Sequence, residues 1–420
     1  MAAPWPAWCC RKTTDLTRDD VVALDRADEL AAFRDRFVLP EGVIYLDGNS
    51  LGPLPKAARA RISDVLEREW GQSLIRSWTQ HGWIDLQFRI GEKIGRLIGA
   101  EPGTTVVADS TSVNLFKLLA AALDQRPGRN VILTEEGNFP TDLYIAQGLA
   151  ALLQRGYEVR QLIDVAAALN DQVAVLMLTH VNYRSGAMHD MAALTRAAHD
   201  AGALVLWDLC HSAGAVPLQL SADNVDLAVG CGYKFLNGGP GAPSFLYVAR
   251  RLQDDLRMPL AGWFSHAAPF DFESRYRPAS GIARGVVGTP PILSLAALEA
   301  GIDIALDAPM EAVRAKSQRL ADLFVVLMEH EPDFSLLTPR EPSMRGSQVA
   351  FCHPHGYAVM QALIERDVIG DFRAPDVLRF GLTPLYLRYV DVWDAVAVLR
   401  DVMRTEAWRD PRFQQRSKVT

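Results

Sequence analysis

Lys234 follows Tyr233 in the stretch Val229-Gly-Cys-Gly-Tyr-Lys-Phe-Leu-Asn-Gly-Gly-Pro240, and Asp208 precedes His211 in Leu204-Val-Leu-Trp-Asp-Leu-Cys-His-Ser-Ala-Gly214. An acid at the end of one apolar run and a lysine just past the next are the two groups that a pyridoxal 5′-phosphate site requires. The lysine amine can condense with the cofactor aldehyde. The carboxylate can keep the pyridine nitrogen protonated, so that the ring draws electrons. Singly, each residue reads as a solvated loop lysine or an aspartate capping a helix. Together, on successive strand ends and with glycines behind the lysine, they favour the cofactor.

Further groups fit around that pair. Asp109-Ser-Thr-Ser112 precedes a helical pattern with Leu115, Leu118, Leu119 and Ala122 on one face. Hydroxyls at a helix start cap exposed amides, and the same geometry receives a phosphate because the amides and the helix dipole point at it. Gly137-Asn-Phe-Pro-Thr-Asp142 follows an apolar run and carries Phe139, a ring able to stack on a flat cofactor or to be buried in a turn. Arg379, in Val377-Leu-Arg-Phe-Gly381, is read as an arginine at a strand end that could grip an α-carboxylate with two parallel bonds.

The elements that must position these groups are legible as apolar runs. Val131–Leu133, Val173–Leu178, Ala203–Trp207, Leu227–Val229 and Ser244–Val248 alternate with helical patterns, among them Met191–Ala201 ending at Gly202. Continuous apolar strands alternating with helices predict a mostly parallel sheet covered on both faces, with ligands at the carboxyl ends of its strands. Val43–Leu46 reads as a short strand leading into the turn Asp47-Gly-Asn-Ser-Leu-Gly-Pro53, and Lys56–Trp70 as a helix. Residues 252–300 read as ordered functional loops or an interface, and a long helix starts after Ile292. Beyond about 311, helices near 312–330, 357–366 and 391–404 and a strand at Gln348–Phe351 predict a smaller α+β domain. Residues 1–40 are polar, helical in pattern, and read as an arm.

Composition sets the class. A chain of 420 residues with 49% hydrophobic and 22% charged residues suits a two-domain globular enzyme. A net charge of −7 argues against nucleic acid or an anionic membrane as partner. No apolar run reaches the length of a membrane span, and the first residues do not read as a signal peptide. Five cysteines without a spaced framework predict free thiols and a cytoplasmic setting. Cys352-His-Pro-His355 lacks the acid or thiol that would complete a metal site, so no metal is expected.

The chain resembles the kynureninases, fold-type I pyridoxal-phosphate enzymes of the aspartate aminotransferase superfamily. The resemblance rests on Tyr45-Leu-Asp-Gly-Asn-Ser-Leu-Gly52, Ser112-Val-Asn-Leu115, Phe139-Pro-Thr-Asp142, Asp208-Leu-Cys-His211, Gly232-Tyr-Lys-Phe-Leu-Asn237, Gly262-Trp263 and Thr289-Pro-Pro291. It runs from about residue 40 to the C-terminus. It implies an α/β fold whose large domain, 66–305, has a mostly parallel seven-stranded sheet flanked by helices. Residues 306–420 would form the small C-terminal α+β domain, and 1–65 an N-terminal arm and a segment packing with it.

The resemblance also implies roles. Lys234 would carry the cofactor, Asp208 pair with the ring nitrogen, His211 belong to the cofactor site and Phe139 stack on the ring. Pro140, Thr141, Asp142 and Thr179 would complete that pocket. Thr111, Ser112 and Tyr233 would bind phosphate, with Trp263 and Thr289 contributed by the partner subunit of a homodimer. Arg379 would hold the substrate carboxylate, with Ser50 and Trp78 near the aromatic end. The implied reaction is hydrolysis of L-kynurenine, and of its 3-hydroxy form, to anthranilate or 3-hydroxyanthranilate and L-alanine in tryptophan catabolism, with Tyr233 as a candidate acid. A cysteine desulfurase or selenocysteine lyase would share the cofactor site but needs a nucleophilic cysteine on a mobile loop, and Cys352 reads as a strand end. A pyridoxal-phosphate module without turnover is the other alternative.

Overall fold

The structure is a computed structural model that describes residues 16–416, so Cys9 and Cys10 and the first part of the expected arm lie outside the described residues. The chain contacts divide into two units, one formed by Ala57–Tyr183 and His189–Leu306, the other by the residues up to Lys56, Arg184–Met188 and the residues from Asp307 on.

The first unit is built on seven strands: β1 Thr105–Val107, β2 Val131–Glu135, β3 Glu158–Leu162, β4 Val173–Thr179, β5 Leu204–Asp208, β6 Leu227–Gly230 and β7 Phe245–Val248. Their order is β1-β7-β6-β5-β4-β2-β3. β3, β2, β4, β5 and β6 run parallel, while β7 is antiparallel to both β6 and β1. Every residue of β4, β5, β6 and β7 is buried, as continuous apolar strands require when helices cover both faces. The helices are α1 Leu86–Leu97, α2 Thr111–Asp124, α3 Pro140–Leu153, α4 Met191–Asp200 and α5 Ile292–Asp307. α1 packs on β1, α2 on β4 and β6, and α4 on β5. The apolar face of α2 (Leu115, Leu118, Leu119, Ala122) is fully buried in this core.

Local signals explain where the helices begin and end. Ser110 caps α2 by accepting from the Val113 amide at 3.4 Å, Pro140 opens α3, and Asp190 caps α4 through the Ala193 amide at 2.9 Å. Gly202, at φ +77, closes α4 in the left-handed conformation that a residue with a Cβ avoids.

Three details differ from the sequence reading. β1 and β3 are not among the predicted apolar runs: β1 has three residues, and β3 (Glu-Val-Arg-Gln-Leu) is a polar edge strand with Glu158, Gln161 and Leu162 exposed. The helix expected over Lys56–Trp70 is α-helical only through Asp64. It widens into a nine-residue π-helix, Val65–Ser73, because backbone pairing rather than side-chain periodicity sets the helix type. Arg379 is not at a strand end but at the centre of a five-residue strand.

That strand belongs to the second unit, whose sheet comprises β8 Ser335–Leu336, β9 Gln348–Cys352, β10 Asp371–Arg373 and β11 Val377–Gly381 in the antiparallel order β8-β9-β11-β10. Helices α6 Met310–Met328, α7 Gly356–Ile364 and α8 Tyr389–Arg404 complete it, with α6 packed on α8 and on β9, and α7 on β10 and β11. The described part of the expected arm is packed into the same unit. Its helix Arg18–Arg26 lies on α8, where Asp25 accepts from the Tyr389 and Val390 amides at 2.6 and 3.0 Å and so caps that helix.

A two-residue parallel pair, Ile44–Tyr45 with Val368–Ile369, continues into a bond from the Gly381 amide to the Leu46 carbonyl at 2.6 Å. The Asp47–Ser50 turn is thereby laid against β11. Gly48 is required there, because a Cβ would collide with Tyr386 and Thr383.

Candidate active site

The carboxyl ends of the parallel strands supply one constellation. Thr179 is the last residue of β4 and Asp208 the last of β5, while Lys234 comes four residues after β6 ends. Phe139 caps α3 after β2, and Thr111 opens α2 after β1. A cavity of about 100 Å³ is lined by these five residues together with Ser112, Thr141, Asp142, Tyr183, Cys210, His211 and Tyr233. Pro140 does not line it and serves as the first residue of α3.

Asp208 forms the polar floor. It is 4% exposed, and one carboxylate oxygen accepts from the Cys210 amide at 2.7 Å. Burial raises its carboxyl above the usual range, against the pull of Cys210 and Lys234. The Lys234 ammonium lies 2.9 Å from His211 Nε2, 5.9 Å from the Phe139 ring centre and 6.0 Å from that of Tyr233. Phe139 meets Tyr183 edge-on at 5.1 Å. Asp142 is a second buried acid, raised well above the carboxylate range by burial and then by Asp208. The Thr179 hydroxyl lies 3.5 Å from Asp142 and donates to Asn138 at 2.5 Å, while the Phe139 amide donates to Asn138 at 2.6 Å.

Asn138, Tyr183 and Cys210 are the site residues that sequence reasoning did not assign. Asn138 sits inside the Gly137–Asp142 turn, and its side-chain oxygen ties that turn to β4. Tyr183 follows β4 in the same relation that Lys234 has to β6, which is a signal of position alone.

Thr111, Ser112 and Tyr233 also line a second, more open cavity of about 500 Å³, together with Ser110, Ser244 and Thr289. The two cavities therefore meet at the first turn of α2, where amides have no acceptor within the helix. Thr289 reaches this second cavity within its own chain. Trp263 lies apart from both, 39% exposed, with its ring 4.3 Å from Phe264, 5.6 Å from Phe270 and 6.4 Å from Phe272. Trp78 packs edge-on to Trp83 at 5.9 Å and against Phe264 at 6.0 Å.

In the other unit Arg379 is 2% exposed and paired with Asp371 through both Nε and Nη2, the Nε bond being 2.6 Å. Ser50 donates to Asp371 at 2.7 Å and accepts from Arg379 at 3.2 Å. Burial opposes ionisation of Asp371, yet Arg379 and Arg373 hold it below the usual carboxylate range. Asp47, in contact with Ser50 and Asp371, is pushed up to about 7 by burial and by the charge of Asp371. Cys352 is the last residue of β9, paired with Val377, and burial raises its thiol.

The donor set of the first cavity fits pyridoxal phosphate. A buried carboxylate needs a cationic partner, which a pyridinium N–H supplies. An amine faces the same space, an aromatic ring stands beside it, and hydroxyls with a helix N-terminus close the far end, where a phosphate is stabilised.

Comparison with known proteins agrees. Residues 313–399 match the family profile described as the kynureninase C-terminal domain. The chain is 54% identical over 414 residues to a kynureninase of Burkholderia pseudomallei, and 52% identical over 415 residues to one of Pseudomonas fluorescens, covering 96% of this chain and 100% of each relative. Solved structures of a cysteine desulfurase from Thermococcus onnurineus and of one from Escherichia coli superpose with TM-scores of 0.76 and 0.75 at 19% and 20% identity. They cover 89% and 90% of this chain and 98% and 99% of theirs, which establishes a shared pyridoxal-phosphate fold. More than half of the residues are shared with the kynureninases along nearly the whole chain, which therefore belongs to the kynureninase family of pyridoxal-phosphate hydrolases.

Proposed function

We propose that this chain hydrolyses L-kynurenine, and 3-hydroxykynurenine with it, to anthranilate or 3-hydroxyanthranilate and L-alanine, as a step of tryptophan catabolism. The observation that carries the site assignment is the convergence of Lys234 and buried Asp208 on one cavity that ends at the first turn of α2. Bound pyridoxal phosphate supplies a covalent anchor for the substrate amine and a sink for the electrons of the bonds that break.

The chain's own residues do the rest. Lys234 is the base for the substrate α-proton, and His211, 2.9 Å away, orients its amine. Asp208 holds the ring nitrogen protonated from the cavity floor. Phe139 faces the ring, in a turn fixed by Asn138. Thr179, Pro140, Thr141 and Asp142 shape the pocket wall. Thr111, Ser112 and Tyr233 take the phosphate, and Tyr233 is positioned to return protons. Arg379, held in one orientation by Asp371 and Ser50, takes the substrate carboxylate, and Trp78 belongs to the aromatic end.

The working unit is a homodimer in the cytoplasm, with Trp263 contributed across the dimer. In support, Trp263, Phe270 and Phe272 form an exposed aromatic cluster, which a lone chain leaves in water. Cys210, Cys231 and Cys352 are free thiols, as a reducing compartment maintains. Sedimentation velocity should give twice the chain mass at micromolar concentration. Full activity from a species of single-chain mass would reject the dimer.

Anthranilate fluorescence on adding L-kynurenine tests the activity directly. Lys234→Ala should lose the visible absorbance band of the lysine-bound cofactor and drop kcat by at least the ~10²–10⁴-fold of a lost general base. Asp208→Ala should keep the band and slow α-proton exchange with solvent. A Lys234→Ala protein that retains both band and turnover would remove the assignment.

Removal of Arg379 should raise the free energy of the transition state by about 2–5 kcal/mol, read as a loss in kcat/KM for L-kynurenine. Cys352→Ala should leave that constant within about twofold, since its thiol ends a paired strand. Sulfide release from L-cysteine that depends on Cys352 would instead place the chain with the desulfurases.

Asp47 gives the arginine site a pH dependence of definite sign. Below about 7 its carboxyl is protonated; above, it adds a negative charge to a cluster holding Asp371, Arg373, Arg379 and the phenols of Tyr45 and Tyr386. A substrate carboxylate then meets a less positive site. KM for L-kynurenine should rise as pH passes through 7, and Asp47→Asn should flatten that rise. An unchanged profile in the variant would clear Asp47 of the effect.

A further inference from the structure

Lys117 lies two turns into α2, on a helix whose other buried residues are apolar except Asn114. Its side chain is 0% exposed. The ammonium donates to Asp109 Oδ2 at 2.7 Å and to the Gly285 carbonyl at 2.6 Å. Burial lowers its proton affinity, and the Asp109 charge opposes that effect. A buried lysine is costly unless paired and bonded, and an apolar side chain of similar length would fill the same space. Packing alone therefore does not account for it.

Its two partners belong to two segments that both supply lining to one cavity. Asp109 precedes Ser110, Thr111 and Ser112 and has φ +48, in the left-handed region that residues with a Cβ rarely occupy. Its carbonyl accepts from the Ser244 amide at 2.9 Å, so the backbone of this turn is pinned on one side and its carboxylate on the other. Gly285 opens the segment Gly285-Val-Val-Gly-Thr289, and Val287, Gly288 and Thr289 line the 500 Å³ cavity that Asp109, Thr111 and Ser112 also line.

We propose that Lys117 is a positioning residue for the cofactor phosphate: its buried ammonium ties the Asp109–Ser112 turn to the Gly285–Thr289 segment and neutralises the one carboxylate on the wall that faces the phosphate. The inference rests on the reading of the α2 N-terminus as the phosphate site. It assigns to Lys117 no contact with the cofactor. With the ammonium removed, the turn loses its tether, and the Asp109 charge repels the incoming dianion.

The test is the phosphate discrimination of the apoenzyme. Dissociation constants for pyridoxal phosphate and for pyridoxal, which lacks the phosphate, are measured by absorbance titration, and their ratio is taken. Lys117→Met should lower that ratio by about tenfold or more, the size of a lost charge-assisted contact, with pyridoxal affinity changed less than about threefold. Equal weakening of both ligands, or a lower melting temperature with the parent ratio, would mean that Lys117 only supports the fold, and would overturn the proposal.

Should the Met variant not fold, Lys117→Gln keeps a donor without the charge. Its ratio should still fall by at least about threefold, and a parent ratio overturns the proposal as well. Thr111→Val with Ser112→Ala separates the two layers of the argument. If this pair lowers the ratio and the Lys117 variants do not, Lys117 loses its role and the phosphate site stands. If the pair also leaves the ratio unchanged, the phosphate reading fails and takes the Lys117 proposal with it.

Discussion

An acid buried at the floor of an apolar sheet is the constraint on which the site depends. Asp208 ends a strand whose other four residues are Leu, Val, Leu and Trp, all buried. Left alone there, an acid takes up a proton. One backbone amide and the field of Lys234 work against that, and burial still wins, since the carboxyl stays above its ordinary range. On the proposed assignment, a ring cation bonded to Asp208 would tip the balance the other way. Asp142 deepens the effect, being a second buried acid beside the first. Two acids, Asp208 and Asp142, and two nitrogen bases, Lys234 and His211, share a cavity of about 100 Å³.

The same frame serves different chemistry in the desulfurases that share this fold at 19–20% identity. What separates the reactions must lie outside the sheet ends, in groups that meet the substrate. Cys352 shows how. As the last residue of a strand paired to β11, it is held by ladder bonds and its thiol is raised by burial, both of which disfavour a nucleophile.

The candidate site was readable because its physics is local to strand ends. An uninterrupted apolar run followed by a polar residue marks both a buried strand and the place where a ligand can sit. That rule pointed to Asp208, which ends β5, and to Lys234, four residues beyond β6, while Thr179 came only from the family resemblance. It was silent on β1 and β3, since a three-residue strand has no period and a polar edge strand has no apolar run. It misplaced Arg379, because a charged residue between apolar neighbours looks like a boundary. In fact Asp371 on the adjacent strand lets the guanidinium stay in the middle of β11. Asn138 and Lys117 were invisible for a related reason. Each acts by bonding groups far away in sequence, Thr179 for the first and Gly285 for the second, and no window of sequence contains both partners.

Arg379 raises the question of why an arginine read as a substrate anchor is already bonded to an acid. A guanidinium carries five N–H donors in one plane, and Asp371 engages those on Nε and Nη2. A free arginine side chain would lose rotamer freedom on meeting a carboxylate, at a cost of up to about 2 kcal/mol. Pairing with Asp371 removes that cost beforehand and fixes the plane of approach. The penalty is a neutralised charge, which would weaken attraction for an anion. Asp47 is where that penalty is limited. Protonated below about 7, it leaves the cluster Asp47, Asp371, Arg373 and Arg379 with one negative and two positive charges, and so still attractive to a carboxylate. Ionised, it would cancel the surplus. A rigid anchor and an attractive one are thus both obtained, provided that the second acid keeps its proton.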